Sequence, residues 1–265
     1  MHRNGFFSLL YHTLFIAFIA APLLVVMLMA FTDKGYLSLP TDGLSLRWFS
    51  ALLDNQEMLD AFLLSLKLGV ASASVATLLA IPAALAISRY DFPGRGALTG
   101  FLLSPLMIPS VVLGIAFLRF FSLAQIGGSL WALTVTHVVV VLPYALRLTL
   151  ASTIGLERDV EHAALSLGAS RWAVFLRIVL PRIRTGVIGG WMLAFIQSFD
   201  ELTMTVFVAT PGTTTLPVAM YNQIAQTIDP LITAVSTVLI LGTLALMVVL
   251  DRLVGLDRVL IGEGK

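Results

Sequence analysis

Asp200 and Glu201 are adjacent carboxylates set in an otherwise apolar stretch, and they are where this chain could act on a solute. An ionised carboxylate is costly in hydrocarbon, so acids at membrane depth face a bundle interior or a wet cavity. There they attract an amine-bearing cargo through charge and hydrogen bonding. Gln197, Ser198, Phe195 and Tyr221 are candidate neighbours on such a pathway, the aromatic faces being suited to an alkylammonium. Adjacent residues on a helix point about 100° apart, so a single one of the two acids is expected to face the path. The competing assignment pairs one or both with Arg119 or Lys67, locking helices together. Those two cations could instead snorkel to an interface, which is the favoured reading for both. His137 is expected to hydrogen-bond from helix to helix rather than to meet cargo.

Covalent and metal chemistry have no residues to work with. There is no cysteine, and the four histidines show no ligand spacing, so no catalytic and no metal site is assigned. A Gly-x-x-x-x-Gly-Lys-Ser/Thr loop is also missing, so the chain is not expected to hydrolyse ATP itself.

A second segment of unusual spacing, EHAALSLGASRWAVFLRIVLP, covers residues 161–181. Asp159–Leu167 favours a short helix whose early acids complement the helix dipole. Ala163 and Ala164 remove bulk from one face, so another protein's surface can approach the backbone. Gly168 is free to take positive φ and end the helix. Trp172, Phe175, Leu176 and Ile178–Leu180 form an apolar face able to pack under a bundle, and Pro181 is expected to halt that second helix. Pro82, Pro105, Pro109 and Pro143 are expected to interrupt helices elsewhere.

The elements that must position these residues are membrane helices. The chain has 265 residues, 58% hydrophobic and 12% charged, a combination typical of polytopic membrane proteins. A span needs about 20 apolar residues. Six stretches qualify, at roughly 8–31, 60–88, 98–121, 130–150, 186–209 and 231–253. The Gly127-Gly128 turn makes the third and fourth an antiparallel hairpin. Basic residues concentrate in two loops, at Arg89 and Arg95 and at Arg158 to Arg184, and near the ends at Arg3, Arg252, Arg258 and Lys265. By the positive-inside rule both termini are cytoplasmic. The amphipathic stretch Leu44–Leu59, with Trp48 and Phe49, reads as an interfacial anchor on the outer side. The expected organisation is a first helix and outer segment at 1–59, a core at 60–253 with its long cytoplasmic loop at 151–185, and a tail at 254–265.

The 161–181 segment resembles the EAA loop of permease subunits in binding-protein-dependent, type I ABC importers. Ala163, Ala164, Gly168, Ile178, Leu180 and Pro181 match that motif in order and spacing. His162 stands where the family carries an acid, and Glu161 lies one step earlier. Arg-Tyr-x-Phe-x-Gly at Arg89–Gly94 is also typical of the family, while Ser198–Glu201 and Phe207–Tyr221 resemble its spermidine/putrescine branch.

The resemblance implies an all-α membrane protein of six transmembrane helices in the bacterial inner membrane, with the type I importer fold. Such a subunit forms half of a pathway for a polyamine or related amine. It couples through 161–181 to two cytoplasmic ATP-binding subunits, which hold the ATP and Mg, so no cofactor is expected in this chain. A homologous second permease, an extracytoplasmic solute-binding protein and lipid are the further partners, and nucleic acid is not one. Relatives with similar patterns carry an amino acid, an opine, an aminophosphonate or ferric ion. A self-sufficient secondary transporter and a passive channel subunit are the readings of a different class. The first would leave the docking segment unexplained and lacks an inverted repeat, and the second lacks a pore-lining pattern.

Overall fold

The computed structural model describes residues 5–254 and is helical. In chain order the helices are α1 (Phe6–Met29), α2 (Arg47–Asp54), α3 (Gln56–Arg89), α4 (Arg95–Leu103), α5 (Ser110–Leu123), α6 (Leu130–Thr153), α7 (Asp159–Ser166), α8 (Arg171–Val174), α9 (Leu180–Phe199), α10 (Thr205–Val208), α11 (Leu216–Gln226) and α12 (Leu231–Val254). Two compact units arise among the described residues, one of 5–60 with 219–250, the other of 61–218 with 251–254. The expected tail, with Arg258 and Lys265, and Arg3 at the other end lie outside the described residues.

Six spans were expected. Among the described residues four helices are long and apolar enough to cross a membrane: Phe7–Met29, Gln56–Arg89, Leu130–Thr153 and Arg171–Phe199. The pair Arg95–Leu106 and Ser110–Leu123, bent by 99°, makes a fifth if the two helices are taken together as one broken span. The sixth stretch falls on α12, whose described apolar part, Leu231–Ala245, is shorter than a span.

The prolines divide by context. Pro105 and Pro109 interrupt the third stretch, because two backbone donors vanish within about one turn. Pro82 and Pro143 do not interrupt: α3 and α6 run straight through them. A single lost backbone bond is tolerated where neighbouring helices enclose the site.

Pro181 also fails to stop its helix. Arg171–Phe199 is one rod of 29 residues that passes through a π-helical turn at Phe175–Val179. Leu180 N–H donates to the Phe175 carbonyl, five residues back, so the ladder is already re-spaced where Pro181 can donate nothing. The loop leading into this rod is therefore 154–170, shorter than the expected 151–185.

In the second unit the core is built on small residues. Ala73, Ala76, Ala80 and Ala84 are fully buried along one stripe of α3 and meet Val141, Ala145 and Leu146 of α6 and Ala194 of α9. Trp191 Nε1–H donates to Ser74 Oγ at 3.1 Å, tying α9 to α3. A Cβ on Gly190 would lie 2.9 Å from the Ala145 carbonyl oxygen, and one on Gly186 2.5 Å from that of Leu148. The two glycines, four apart, let α6 and α9 approach backbone to backbone. Without a hydrophobic force between helices in lipid, such contact is the main source of attraction.

In the first unit the amphipathic stretch forms α2 and the start of α3, separated at Asn55, whose Oδ1 accepts from Met58 N–H at 3.0 Å. α2 is pinned by its polar face. Arg47 donates to the Asp33 carbonyl at 2.8 Å, Trp48 Nε1–H to that of Lys34 at 3.3 Å, and Phe49 packs on Phe31.

Candidate functional site

The short helix α7 is held by three devices. Its C-terminus closes in a Schellman motif: Gly168 at φ +89° donates to the Leu165 carbonyl, and Ala169 to that of Ala164, each at 3.0 Å. Its inner face joins an apolar cluster of Val174, Val179 and Ile183, against which Ala164, Ile178 and Leu180 pack. Glu161 receives both guanidinium nitrogens of Arg89, Nη1 to Oε2 at 2.8 Å and Nη2 to Oε1 at 2.6 Å.

Arg89 ends α3, and its own carbonyl, orphaned at the helix terminus, accepts from Arg158. Bidentate geometry of this kind is the strongest form of carboxylate pairing. Glu161, the acid of the 161–181 segment, thus points into its own chain. His162 is exposed beside it. Arg89, Arg158, Glu161, His162 and Arg171 line a cleft of about 420 Å³ under the helix.

The expected docking face is divided. Ala163 is exposed, but Ala164 is spent on internal packing, because the two point in different directions around the helix. Phe175, Ile178 and Leu180 pack inward as expected, whereas Trp172 and Leu176 remain outside. What α7 and its flank present outward is Val160, Ala163, Leu167, which is 89% exposed, and Trp172. Pro181 is exposed on the rod.

Gly168 has nothing within 4 Å of where a Cβ would stand, so its requirement is conformational and not steric. Gly168→Val should cost about 1–2 kcal/mol from the left-handed backbone, more than alanine because valine is β-branched. The expected result is fraying of α7, read as faster amide exchange across 159–168 with the rest of the bundle unchanged.

The acidic pair occupies a turn. α9 ends at Phe199, and Asp200 is its C-cap residue, so the pair is not inside a helix as the 186–209 assignment expected. The cause is Glu201: its Oε1 accepts from Met204 N–H at 2.7 Å, capping the turn that leads to α10. Glu201 is 8% exposed, whereas Asp200 is exposed. Among the described residues neither acid forms an ion pair, and Lys67 and Arg119 are both exposed and equally unpaired. Locking of helices by acid–base pairs is therefore absent here.

Most of the proposed pathway neighbours are occupied with packing. Ser198 is buried, its Oγ 2.8 Å from His137 Nδ1. Phe195 stacks on Trp191 and covers Gly69, where a Cβ would come within 3.0 Å of its ring. Gln197 is half-buried. Tyr221, on α11, belongs to the other unit and is half-exposed.

Four contributors were not visible in the sequence reading: Arg89 as partner of Glu161, Thr205 as partner of His137, and the approach of Gly114 and Gly190 to facing backbones. Arg89 had one available signal, an unmatched cation in a loop expected on the same side of the membrane as Glu161, although 72 residues away. No group of three or more His, Asp or Glu that could hold a metal occurs among the described residues.

Residues 76–256 match the family described as "Binding-protein-dependent transport system inner membrane component". The chain is 30% identical over 256 residues to the spermidine/putrescine transport system permease protein PotC of Escherichia coli (strain K12), covering 97% of this chain and 94% of that one. It is 33% identical to the putrescine transport system permease protein PotI of the same organism, covering 87% and 84%. It is 31% identical to a putative 2-aminoethylphosphonate transport system permease protein, PhnV, of Salmonella paratyphi A, covering 91% of each. Among solved structures, a bacterial ABC transporter importing alginate superposes with a TM-score of 0.70 over 94% of both chains at 11% identity. The same kind of transporter in complex with its alginate-bound periplasmic protein gives 0.68 at 17% identity, again over 94% of each. These two likenesses concern the fold.

Proposed function

Because this chain belongs to the family of binding-protein-dependent inner-membrane transport components, we propose that it forms half of the pathway of an ATP-driven importer for a polyamine or related small amine. The observation that carries this reading is α7: a glycine-closed helix fastened to the end of α3 by Arg89–Glu161, with Ala163, Leu167 and Trp172 facing outward. A lever needs a rigid attachment on one side and a free face on the other, and α7 has both. Two cytoplasmic ATP-binding subunits, which carry the ATP and Mg, push on that face. A homologous second permease completes the pathway. An extracytoplasmic binding protein delivers cargo; the alginate transporter is seen in complex with an alginate-bound periplasmic protein. Six spans with both termini in the cytoplasm fit this arrangement, with α12 as the sixth.

The cargo class rests on two supports. The relatives named for spermidine, putrescine and 2-aminoethylphosphonate share an amino group in what those names describe. Asp200 supplies an exposed, unpaired carboxylate to receive one. Of the two acids, Asp200 is the cargo contact and Glu201 the turn cap.

The test is uptake of labelled putrescine by the complete complex in liposomes, with its ATPases and binding protein. Asp200→Asn should lower uptake roughly tenfold, the typical worth of one charge-assisted hydrogen bond, while leaving the complex assembled. An importer that moves only anions, or one in which Asp200→Asn changes nothing, would remove the amine from this reading. The 2-aminoethylphosphonate relative supports one variant of it, an aminophosphonate whose ammonium end meets Asp200.

A further inference from the structure

His137 is buried to 1% exposure on α6, and neither of its ring nitrogens is idle. Nδ1 lies 2.8 Å from Ser198 Oγ and Nε2 3.0 Å from Thr205 Oγ1. A neutral imidazole has one donor and one acceptor, and a hydroxyl can complement either, so both contacts are satisfied whichever nitrogen carries the proton. What matters is where the two hydroxyls sit in the chain. Ser198 is the last buried residue of α9, and Thr205 opens α10. Between them lies the turn that carries Asp200.

The remainder of that turn is fixed from other directions. Glu201 caps it from within, at Met204 N–H. Gly114 of α5 brings its backbone against Met204, with a Cβ site 3.1 Å from both the Cα and the carbonyl oxygen. Phe199 packs edge-on against Phe62, the ring centres 6.0 Å apart. A helix end followed by a five-residue turn would otherwise swing freely, and the one side chain of the acidic pair that no neighbour claims is Asp200. A residue that only joined two helices would need one partner; His137 takes two, one on each side of the acid.

We infer that His137 is a positioning residue for cargo recognition: by bonding Ser198 and Thr205 together it sets where the Asp200 carboxylate stands. This rests on the reading above that Asp200 meets the amine. His137 itself touches no cargo; it acts through the turn.

The experiment is a double-mutant cycle on the complete complex in liposomes with saturating putrescine-loaded binding protein. The readout is putrescine moved per ATP hydrolysed, together with the stimulated ATPase rate. His137→Leu removes both bonds, and Thr205→Val removes one while keeping size and shape, so a folded variant is available even if the leucine fails to assemble. Each is expected to lower the transport ratio about threefold to tenfold, the scale of ordinary interhelical hydrogen bonds, while the ATPase rate changes little. Combined with Asp200→Asn, neither should lower it further, since residues acting through one another are not additive. Additive losses, or equal falls in ATPase rate and transport, would overturn the positioning role and leave Asp200 as the cargo contact. An inert Asp200→Asn would sink that contact and the positioning role with it.

Discussion

Glu161→Gln is expected to uncouple the bundle from the proposed ATPases, lowering ATP-driven uptake at least tenfold. The substitution keeps the shape of the side chain and removes its charge. Arg89 would then stand only 18% exposed with no counter-ion. Breaking a buried ion pair by removing one partner costs roughly 3–5 kcal/mol. Here the adjoining cleft admits solvent, which reduces that to about 2–3 kcal/mol by screening.

α7 cannot absorb such a loss, since an eight-residue helix is far below the length that is stable unaided. Its remaining attachments include the glycine closure, the contact of Ala164 with the apolar cluster and the bond from its N-cap residue Arg158 to the Arg89 carbonyl. Amide exchange over 159–166 should accelerate as uptake falls. Arg89→Lys should produce a milder version, because an ammonium cannot make the two-pronged contact. Exchanging the charges, Arg89→Glu with Glu161→Arg, should recover part of the activity. Unchanged protection of α7 in Glu161→Gln would show that the pair is not what holds it.

Gly190→Val is expected to be among the most damaging single substitutions in the core. The first added carbon would come within 2.9 Å of the Ala145 carbonyl oxygen and 3.2 Å of its Cα, and backbone atoms cannot rotate aside as a side chain can. α6 and α9 must separate, opening the alanine layer between α3, α6 and α9 to voids. Overpacking usually costs about 1–3 kcal/mol, and the two branches of valine put this site at or above the top of that range. Gly186→Leu should behave similarly, its Cβ meeting the Leu148 carbonyl and Ser152. Gly100→Ala is the control: nothing lies within 4 Å of its Cβ site on α4, and alanine is the better helix former by roughly 1 kcal/mol. Monodisperse yield and thermal midpoint after extraction would separate the three. A Gly190→Val protein as stable as Gly100→Ala would mean that the close crossing of α6 and α9 is wrong.

How far the sequence could be read depended on the range of the interaction. The helix Asp159–Ser166, its end at Gly168 and the turn around Gly128 rest on local chemistry, on a dipole, a positive φ and a glycine pair, and were all legible. Pro181 misled because its local meaning, a missing donor and a ring clash, is cancelled by the π turn at Phe175–Val179 just before it. Asp200 and Glu201 misled for a related reason. Apolar flanks suggested an uninterrupted span, but one side chain bonding to a backbone N–H three residues ahead was enough to end the helix. His137 was correctly expected to bridge helices, yet its partners lie 61 and 68 residues away, and no pattern along the chain identifies them.

Composition and charge placement alone determined that this is a membrane-spanning helical chain, and motif spacing alone determined the family and singled out the segment proposed to meet the ATPases. Both are properties of short windows of sequence, where hydrophobic transfer and backbone conformation act residue by residue. Only the tertiary structure decided which residues of those windows face outward. It turned Glu161 and Ala164 inward while leaving Ala163 exposed, and it buried Glu201 while leaving Asp200 free. Adjacent residues carry nearly the same local signal, and what separates them is the partner that folding brings from far along the chain.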